Sequence, residues 1–457
     1  MQLTNSTNGN YITRQLKLPL EIEKLIDIAD PVYTFCEVMD HIDLKPYFVD
    51  DKDYKTGRPR CDAQKLLKVI LFAFMEHGIS SLRDIEKLCR NDIRFMYLLD
   101  GMKAPSFVTF GNFIRNELTV SIEQIFKDIN AYIFETEQVD LQHTYIDGTK
   151  LEANANRYTW VWKKSCVKNR AKVFEKLSAL IDAMNTDVLG YLGVKFEKRD
   201  DYAIEYVEEL LRKYCLVTNL DMGSFVTGRG HRKTLHQRQY QEMEGYLEKL
   251  KTYAKHIEIC GESRNSYAKT DHDATFMRLK RDYMGNDQLL PAYNVQAAIC
   301  DEYIAVIDVK PYASGQDCFV PLMEKFKDTY GHYPKYPVAD AGYGSYNNYI
   351  YCEEHGMEKY MKFTMFKKET TDKKYREDPY RIVNFKRDSE GNLVCPNGKR
   401  FIYKYDKRIY KNKYGRTEEI YECEDCSGCP YREECCKKKE GNRTARLNRE
   451  LTSCMKK

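Results

Sequence analysis

The run "AYNVQAAICDEYIAVIDV", residues 292–309, constrains the fold more tightly than any other part of the chain. Two apolar stretches, "AYNVQAAI" and "YIAVIDV", flank the turn residues Asp301 and Glu302. Runs of that kind, separated by so short a turn, close as an antiparallel hairpin. Downstream, Phe319, Leu322, Met323 and Phe326 recur on one side of a helix expected from about Gln316 to Tyr330. A short strand, "YPVAD", then ends in Asp340. The glycine-containing loop "AGYGS" leads into a helix capped by Ser345 and stopped by Gly356, and "MEKYMKF" supplies one more strand. Upstream, "QHTYIDGTKLEANA" reads as two short β-type runs flanking Gly148, with Asp147 near the turn. Strand, long helical insertion, hairpin, helix, strand, helix, strand is the resulting order. It implies a mixed α/β sheet with helices packed against it.

Helical periodicity dominates elsewhere. In "DAQKLLKVILFAFMEHG", Asp62 reads as the N-cap, Leu66, Leu67, Ile70, Leu71 and Phe74 as one apolar face, and Gly78 as the stop. "SSLRDIEKLCRNDIRFMYLL" predicts a second helix, and a third starts near Ser106, carrying Phe107, Phe110, Ile114 and Leu118. Three such helices fit either a helix-turn-helix-like module or a plain bundle. Between about 157 and 285 the chain is again helical. Its clearest part places Tyr240, Met243, Leu247, Leu250, Ala254 and Ile257 at alternating steps of three and four, the seam of an antiparallel helical hairpin.

Composition excludes a membrane protein. With 31% charged residues in 457, no apolar run approaches the roughly 18 residues that cross a bilayer. The opening "MQLTNSTNGNYITRQLKLPL" has no apolar segment of the export type, which predicts a cytoplasmic location and reduced thiols. Of the 16 cysteines, Cys36, Cys89, Cys215 and Cys300 are expected as small buried hydrophobes. The net charge of +4 says little about nucleic acid by itself. Local clustering says more.

Asp147 and Asp340 each interrupt or end an apolar strand where a glycine-containing loop follows. A carboxylate in a strand that should be buried is costly unless it is paired, hydrogen-bonded or bound to a metal. On adjacent central strands the two would share a divalent cation, Mg²⁺ or Mn²⁺ by the hardness of the oxygen ligands, and a third acid would allow two ions. Taken singly, each aspartate reads equally well as a turn former beside glycine.

The segments "YIDGTKLEANANRYTWVWKK", "SYAKTDHDATFMRLK", "YNVQAAICDEYI" and "VADAGYGSYNNYIYCEEHG" resemble the catalytic core of bacterial insertion-sequence transposases of the DDE type. The stretch from "GRPRCDAQKLLKVILFAFMEHG" to "FVTFGNFIR" resembles the helical N-terminal domain of the same family. The resemblance implies an RNase H-like sheet with a long helical insertion. It divides the chain into a helical DNA-binding domain at 1–125, a catalytic core at 140–365 with its insertion at 157–285, and a β-rich, cysteine-rich segment at 366–457, expected to be truncated relative to the family. It also implies Mg²⁺- or Mn²⁺-dependent cleavage and strand transfer at terminal inverted repeats, two ions per site, and a homodimer on DNA in the nucleoid. The first two catalytic acids fall on Asp147 and Asp340. For the third, a glutamate in a tyrosine-arginine-glutamate-lysine pattern, Arg446, Glu450 and Lys457 match the spacing, whereas Arg443 stands in the tyrosine position. Either Glu450 is the third acid or the chain holds two of three. In the second case it would act as an inactive, DNA-binding transposase. A general nuclease of the same fold is a further alternative.

From Arg157 to Lys172 there are six lysines or arginines, no acids and both tryptophans. Arg157, Lys163, Lys164, Lys168 and Arg170 are expected on DNA phosphates, with Trp160 and Trp162 stacked on an unpaired base or, alternatively, in the core. Arg229, Arg232 and Lys233 form a second acid-free run suited to the DNA backbone. In "CEDCSGCPYREECC", Cys423, Cys426, Cys429 and Cys435 have spacing suited to one structural Zn²⁺, with Cys395 as a substitute ligand and reduced free thiols as the other reading.

Overall fold

The computed structural model describes residues 25–48, 60–78, 80–226, 232–279, 285, 287–410, 412–438, 440–449 and 451. Two compact units divide the chain, residues 1–140 and 141–457. The first is helical: α1 (Pro31–Asp40), α2 (Ala63–His77), α3 (Leu82–Asn91), α4 (Ile93–Leu99), α5 (Phe107–Phe113) and α6 (Thr119–Glu137).

Capping chemistry sets these boundaries. Asp62 accepts from the Gln64 and Lys65 amides at the start of α2, and Gly78, at φ 67°, ends it. The expected second helix is in fact two. Asp92 has extended backbone between them and caps α4 by accepting from the Arg94 amide at 2.9 Å. Arg94 is paired in turn with Asp92 and Glu76. The apolar face of α2 is also shifted from the expected one. Phe74 is 42% exposed and Leu71 is half-buried, whereas Phe72 is fully buried between Phe35 of α1 and Phe95 of α4. Two neighbouring helices, rather than one, cover that side.

The second unit is built on one mixed sheet. Its strands are β1 (His143–Glu152), β4 (Thr275–Arg278), β5 (Leu289–Cys300), β6 (Tyr303–Lys310), β7 (Tyr336–Ala339) and β8 (Tyr360–Met361); β2 (Trp160–Trp162) and β3 (Ser266–Ala268) pair separately. β5 and β6 form the expected hairpin, with Asp301 and Glu302 both at positive φ, 45° and 74°, as a two-residue turn of the right hand requires. β5 lies antiparallel to β1, and β1 lies parallel to β7, which is parallel to β8. The order β6-β5-β1-β7-β8 with those directions is an RNase H-like sheet. Helices α10 (Gly315–Tyr330) and α11 (Tyr346–Glu354) follow in the order expected, with Phe319, Leu322, Met323 and Phe326 buried.

Between β1 and β5 comes the helical insertion, α7 (Lys163–Asp187), α8 (Ile204–Thr218) and α9 (Leu235–Cys260). Tyr240, Met243, Leu247 and Leu250 of α9 are buried against Leu177, Ile181 and Met184 of α7 and Val207, Leu211 and Tyr214 of α8. The seam is therefore packing. After β8 come α12 (Phe366–Thr371), α13 (Lys373–Arg376), a two-stranded pair β9 (Lys386–Arg387) and β10 (Leu393–Val394), then β11 (Phe401–Arg408) and β12 (Thr417–Cys423), α14 (Arg432–Cys435) and β13 (Thr444–Leu447), with β12 central in a three-stranded sheet.

One expectation about β1 is corrected. Gly148 does not separate two short runs; it sits inside a single ten-residue strand paired with β5 along eight positions. Its partner across the sheet is Gln296, whose side-chain amide fills the space that a Cβ at 148 would occupy. The glycine allows close approach rather than a turn. A second tight glycine is Gly344, where a Cβ would come within 2.5 Å of the Lys362 carbonyl and 2.6 Å of the Tyr349 hydroxyl. Backbone cannot yield as a flexible side chain can, so Gly344→Ala is expected to lower stability by roughly 1–3 kcal/mol, read as a fall in thermal midpoint.

Candidate active site

The pairing of β1 with β7 sets Tyr145 opposite Val338 and Ile146 opposite Ala339. One step further along both strands stand Asp147 and Asp340. Neighbouring positions in a parallel ladder share a face, so the two carboxylates emerge side by side at the C-terminal edge of β7, at the centre of the sheet. Neither is buried, contrary to the expectation of carboxylates inside an apolar strand. Alternation along β1 explains Asp147: Thr144 and Ile146 are buried, whereas Tyr145, Asp147 and Thr149 face outward. Asp340 escapes burial because β7 ends at Ala339.

Each carboxylate is oriented by the backbone that follows it. Asp147 Oδ1 accepts from the Gly148 amide at 2.7 Å, and Asp340 Oδ1 accepts from the Gly342 amide at 2.8 Å. The loop after Asp340 is turned by two further bonds, Tyr343 N to Asp340 O and Gly344 N to Ala341 O. Tyr343 itself is buried below both acids, and burial, then the charges of Asp147 and Asp340, push its hydroxyl well above the ordinary phenol range. This tyrosine and Gln296 were missed in the sequence. The glycine in mid-strand was the available signal, since it marks a close neighbour.

Two of the expected site residues, Glu450 and Arg229, lie outside the described residues. Among the described residues, no three His, Cys, Asp or Glu side chains converge to hold a metal ion. Asp147 and Asp340 offer two hard oxygen donors in adjacent, accessible positions, a set that fits Mg²⁺ or Mn²⁺.

The basic stretch after β1 divides into two kinds of residue. Arg157 is not acid-free in space, because it pairs with Glu152 at 3.0 Å. Trp160 and Trp162 both pack on Phe276, at ring separations of 5.3 and 6.4 Å, so the two indoles serve the join between β2 and the sheet; Trp160 keeps 41% of its surface exposed. The Lys163 ammonium donates to the Gly261 carbonyl, and Arg170 lies over the Phe174 ring. Lys164 and Lys168, by contrast, are exposed one turn apart on α7, opposite the face that buries Cys166 and Val173. At the start of α9, Arg232 and Lys233 are exposed, and Lys233 donates to Gln241.

Two family models match the chain. "Transposase domain (DUF772)" covers residues 20–116, and "Transposase DDE domain" covers residues 394–457. Together the two matches indicate an insertion-sequence DDE transposase. No curated protein and no solved structure matches it. The first match falls on the helical unit of this DNA transposase, the second on its C-terminal β-rich segment. Both aspartates lie outside the matched residues, so their pairing rests on the sheet.

Within the second matched segment, Cys423 lies near Cys426 and Cys395, and Cys435 near the same two, although among the described residues they form no group of three that could hold a metal ion. Cys423 and Cys426 pack in one small core with Cys395 against it. Burial, reinforced by Cys426, pushes the Cys423 thiol up to about 12. Arg443 ties the group together: its amide donates to Cys426 Sγ at 3.4 Å, its guanidinium to Cys435 Sγ at 2.6 Å and to the Tyr380 carbonyl at 2.6 Å.

Proposed function

We propose that this transposase cuts DNA at the terminal inverted repeats of an insertion sequence and joins the freed end to a target, with Asp147 and Asp340 as the acids of the reacting centre. The observation that carries the reading is the β1–β7 register, which brings the two carboxylates to neighbouring, accessible positions at a strand edge. Divalent cations held by these acids would supply charge stabilisation for the pentavalent phosphorus and lower the pKa of a bound water. The residues of the chain do the rest by placement. Water attacks phosphorus in line, the bond to the 3′ oxygen breaks, and that oxygen leaves as a hydroxyl after taking a proton. The same hydroxyl then attacks a phosphodiester of the target, displacing a 3′ oxygen there.

The helical unit at 1–125 is assigned to recognition of the repeats, the core at 140–365 to chemistry, and a homodimer to pairing two ends. Lys164 and Lys168 are the phosphate contacts best supported by exposure, with Arg232 and Lys233 next. Arg157 and the two tryptophans are reassigned to structure. A binding-only transposase is the second reading. What favours it is the lack of a third converging acid among the described residues.

Incubating the chain with a labelled element end and Mg²⁺ or Mn²⁺ separates these readings. Site-specific nicking is expected, abolished to below about 1% by Asp147→Asn or Asp340→Asn with binding retained. Binding by the wild type without any nick establishes the second reading. Lys164→Gln with Lys168→Gln is expected to weaken binding and to reduce the slope of log affinity against log salt by about 2, at unchanged thermal stability.

Structural zinc on Cys423, Cys426, Cys429 and Cys435, with Cys395 as a substitute ligand, is retained as a proposal, supported by their close spacing in sequence and by the nearness of Cys423 to Cys426 and Cys395. Metal analysis of the purified chain is expected to find one zinc, lost in Cys423→Ser. Absence of zinc and iron alike leaves reduced thiols.

A further inference from the structure

The geometry points to Tyr343 as a positioning residue: held by Gln296 behind Gly148, it locks the Asp340 loop to the strands that carry Asp147. This inference rests on the assignment of the two aspartates as the acids of the reacting centre.

The network begins at the phenol. Tyr343 is 4% exposed, and its hydroxyl donates to Gln296 Oε1, 47 residues away on β5. Gln296, 1% exposed, donates from Nε2 to Asn294 Oδ1 at 2.7 Å. Asn294 donates in turn to the Tyr312 carbonyl at 2.9 Å, so the chain of bonds ends on backbone. Each buried polar group has its partner, and such networks hold one geometry. The main chain of Tyr343 is anchored as well. Asn348, 2% exposed, donates to the Tyr343 carbonyl at 2.8 Å and to the Gln316 carbonyl at 3.0 Å, and Gln316 donates to the Gly344 carbonyl.

Position gives the network its consequence. Gln296 stands opposite Gly148, next to Asp147, and its amide occupies the space that the missing side chain leaves. Tyr343 lies three residues after Asp340 and reaches beneath the same spot. The two acids sit on strands whose paired registers end at Ala339 and Ile146, so the ladder alone does not hold the segment beyond Asp340. The Tyr343–Gln296 bond does. Because the hydroxyl donates to an amide and not to either carboxylate, its role is placement rather than proton transfer. Burial keeps it protonated at working pH, so the bond does not titrate away.

The test uses Mn²⁺ as probe and the full chain, with binding followed by the electron paramagnetic resonance of free Mn²⁺ and loop order by amide hydrogen exchange. Tyr343→Phe is expected to weaken Mn²⁺ binding about 10-fold, the scale on which partners of metal-holding side chains act, and to speed exchange at residues 341–345, while DNA affinity stays near wild type and the thermal midpoint falls only by the few degrees that one lost buried hydrogen bond costs. Gln296→Leu removes the acceptor from the other side. It is expected to match Tyr343→Phe, and the double variant to be no worse than either single one. Asp147→Asn is the control for the underlying assignment: wild-type Mn²⁺ affinity there overturns that assignment. If Asp147→Asn loses Mn²⁺ while Tyr343→Phe keeps wild-type affinity, only the positioning role is overturned. Unchanged exchange at residues 341–345 in Tyr343→Phe overturns it whatever the metal does.

Discussion

Parallel pairing between β1 and β7 is the contact on which the proposed chemistry of this chain depends. The strands are separated by nearly two hundred residues of sequence, so no local preference brings them together. Their adjacency follows from a sheet that also has to seat β5 on the other side of β1, and β5 is committed early by its hairpin with β6. Once that order exists, the ladder runs to Ile146 and Ala339, and the residues next in line are Asp147 and Asp340. A slip of one residue in β1 would turn Asp147 toward the helices and Ile146 toward solvent, so burial of the alternate residues Thr144 and Ile146 protects the register.

Packing on the covered face of the sheet supports this arrangement through polar groups as well as apolar ones. Phe319, Leu322, Met323 and Phe326 of α10 fill the layer below β5 and β6. Among them run Asn294, Gln296 and Tyr343, satisfied by one another and by backbone. A buried amide that has found its partners costs little, whereas losing one partner strands the rest, so such a group specifies position more sharply than a leucine would. Gly148 belongs to the same device, because any side chain there would expel the Gln296 amide.

Much of the secondary structure was legible in the sequence, for reasons tied to particular residues. Asp62, Ser345 and Gly78 mark helix ends because caps act on backbone groups within a few residues. Asp301 and Glu302 mark the hairpin because the turn itself demands positive φ. The misreadings have one cause in common. Gly148 was read by its local habit, yet its reason is a glutamine 148 residues downstream. Phe72 and Phe74 exchanged roles because helices α1 and α4 choose the packed side. For Trp160 and Trp162 base stacking and core packing were both open from the sequence, and Phe276 of β4 packs beside both. Cys395 packs against the small core of Cys423 and Cys426, a nearness that spacing, which counts only neighbours along the chain, does not show.

By itself, the sequence determined what short-range physics can enforce: the hairpin, the caps, the helical seam of α9, and two aspartates each with a glycine one or two residues on. Those depend on groups a turn or two apart, so the order of residues suffices. Only the tertiary structure decided that the two aspartates are accessible and adjacent, that Gly148 makes room rather than a bend, and that Tyr343 and Gln296 stand behind them. Pairing of distant strands and close packing of buried polar groups depend on which surfaces meet, and that is settled by burial across the whole sheet rather than by any one segment.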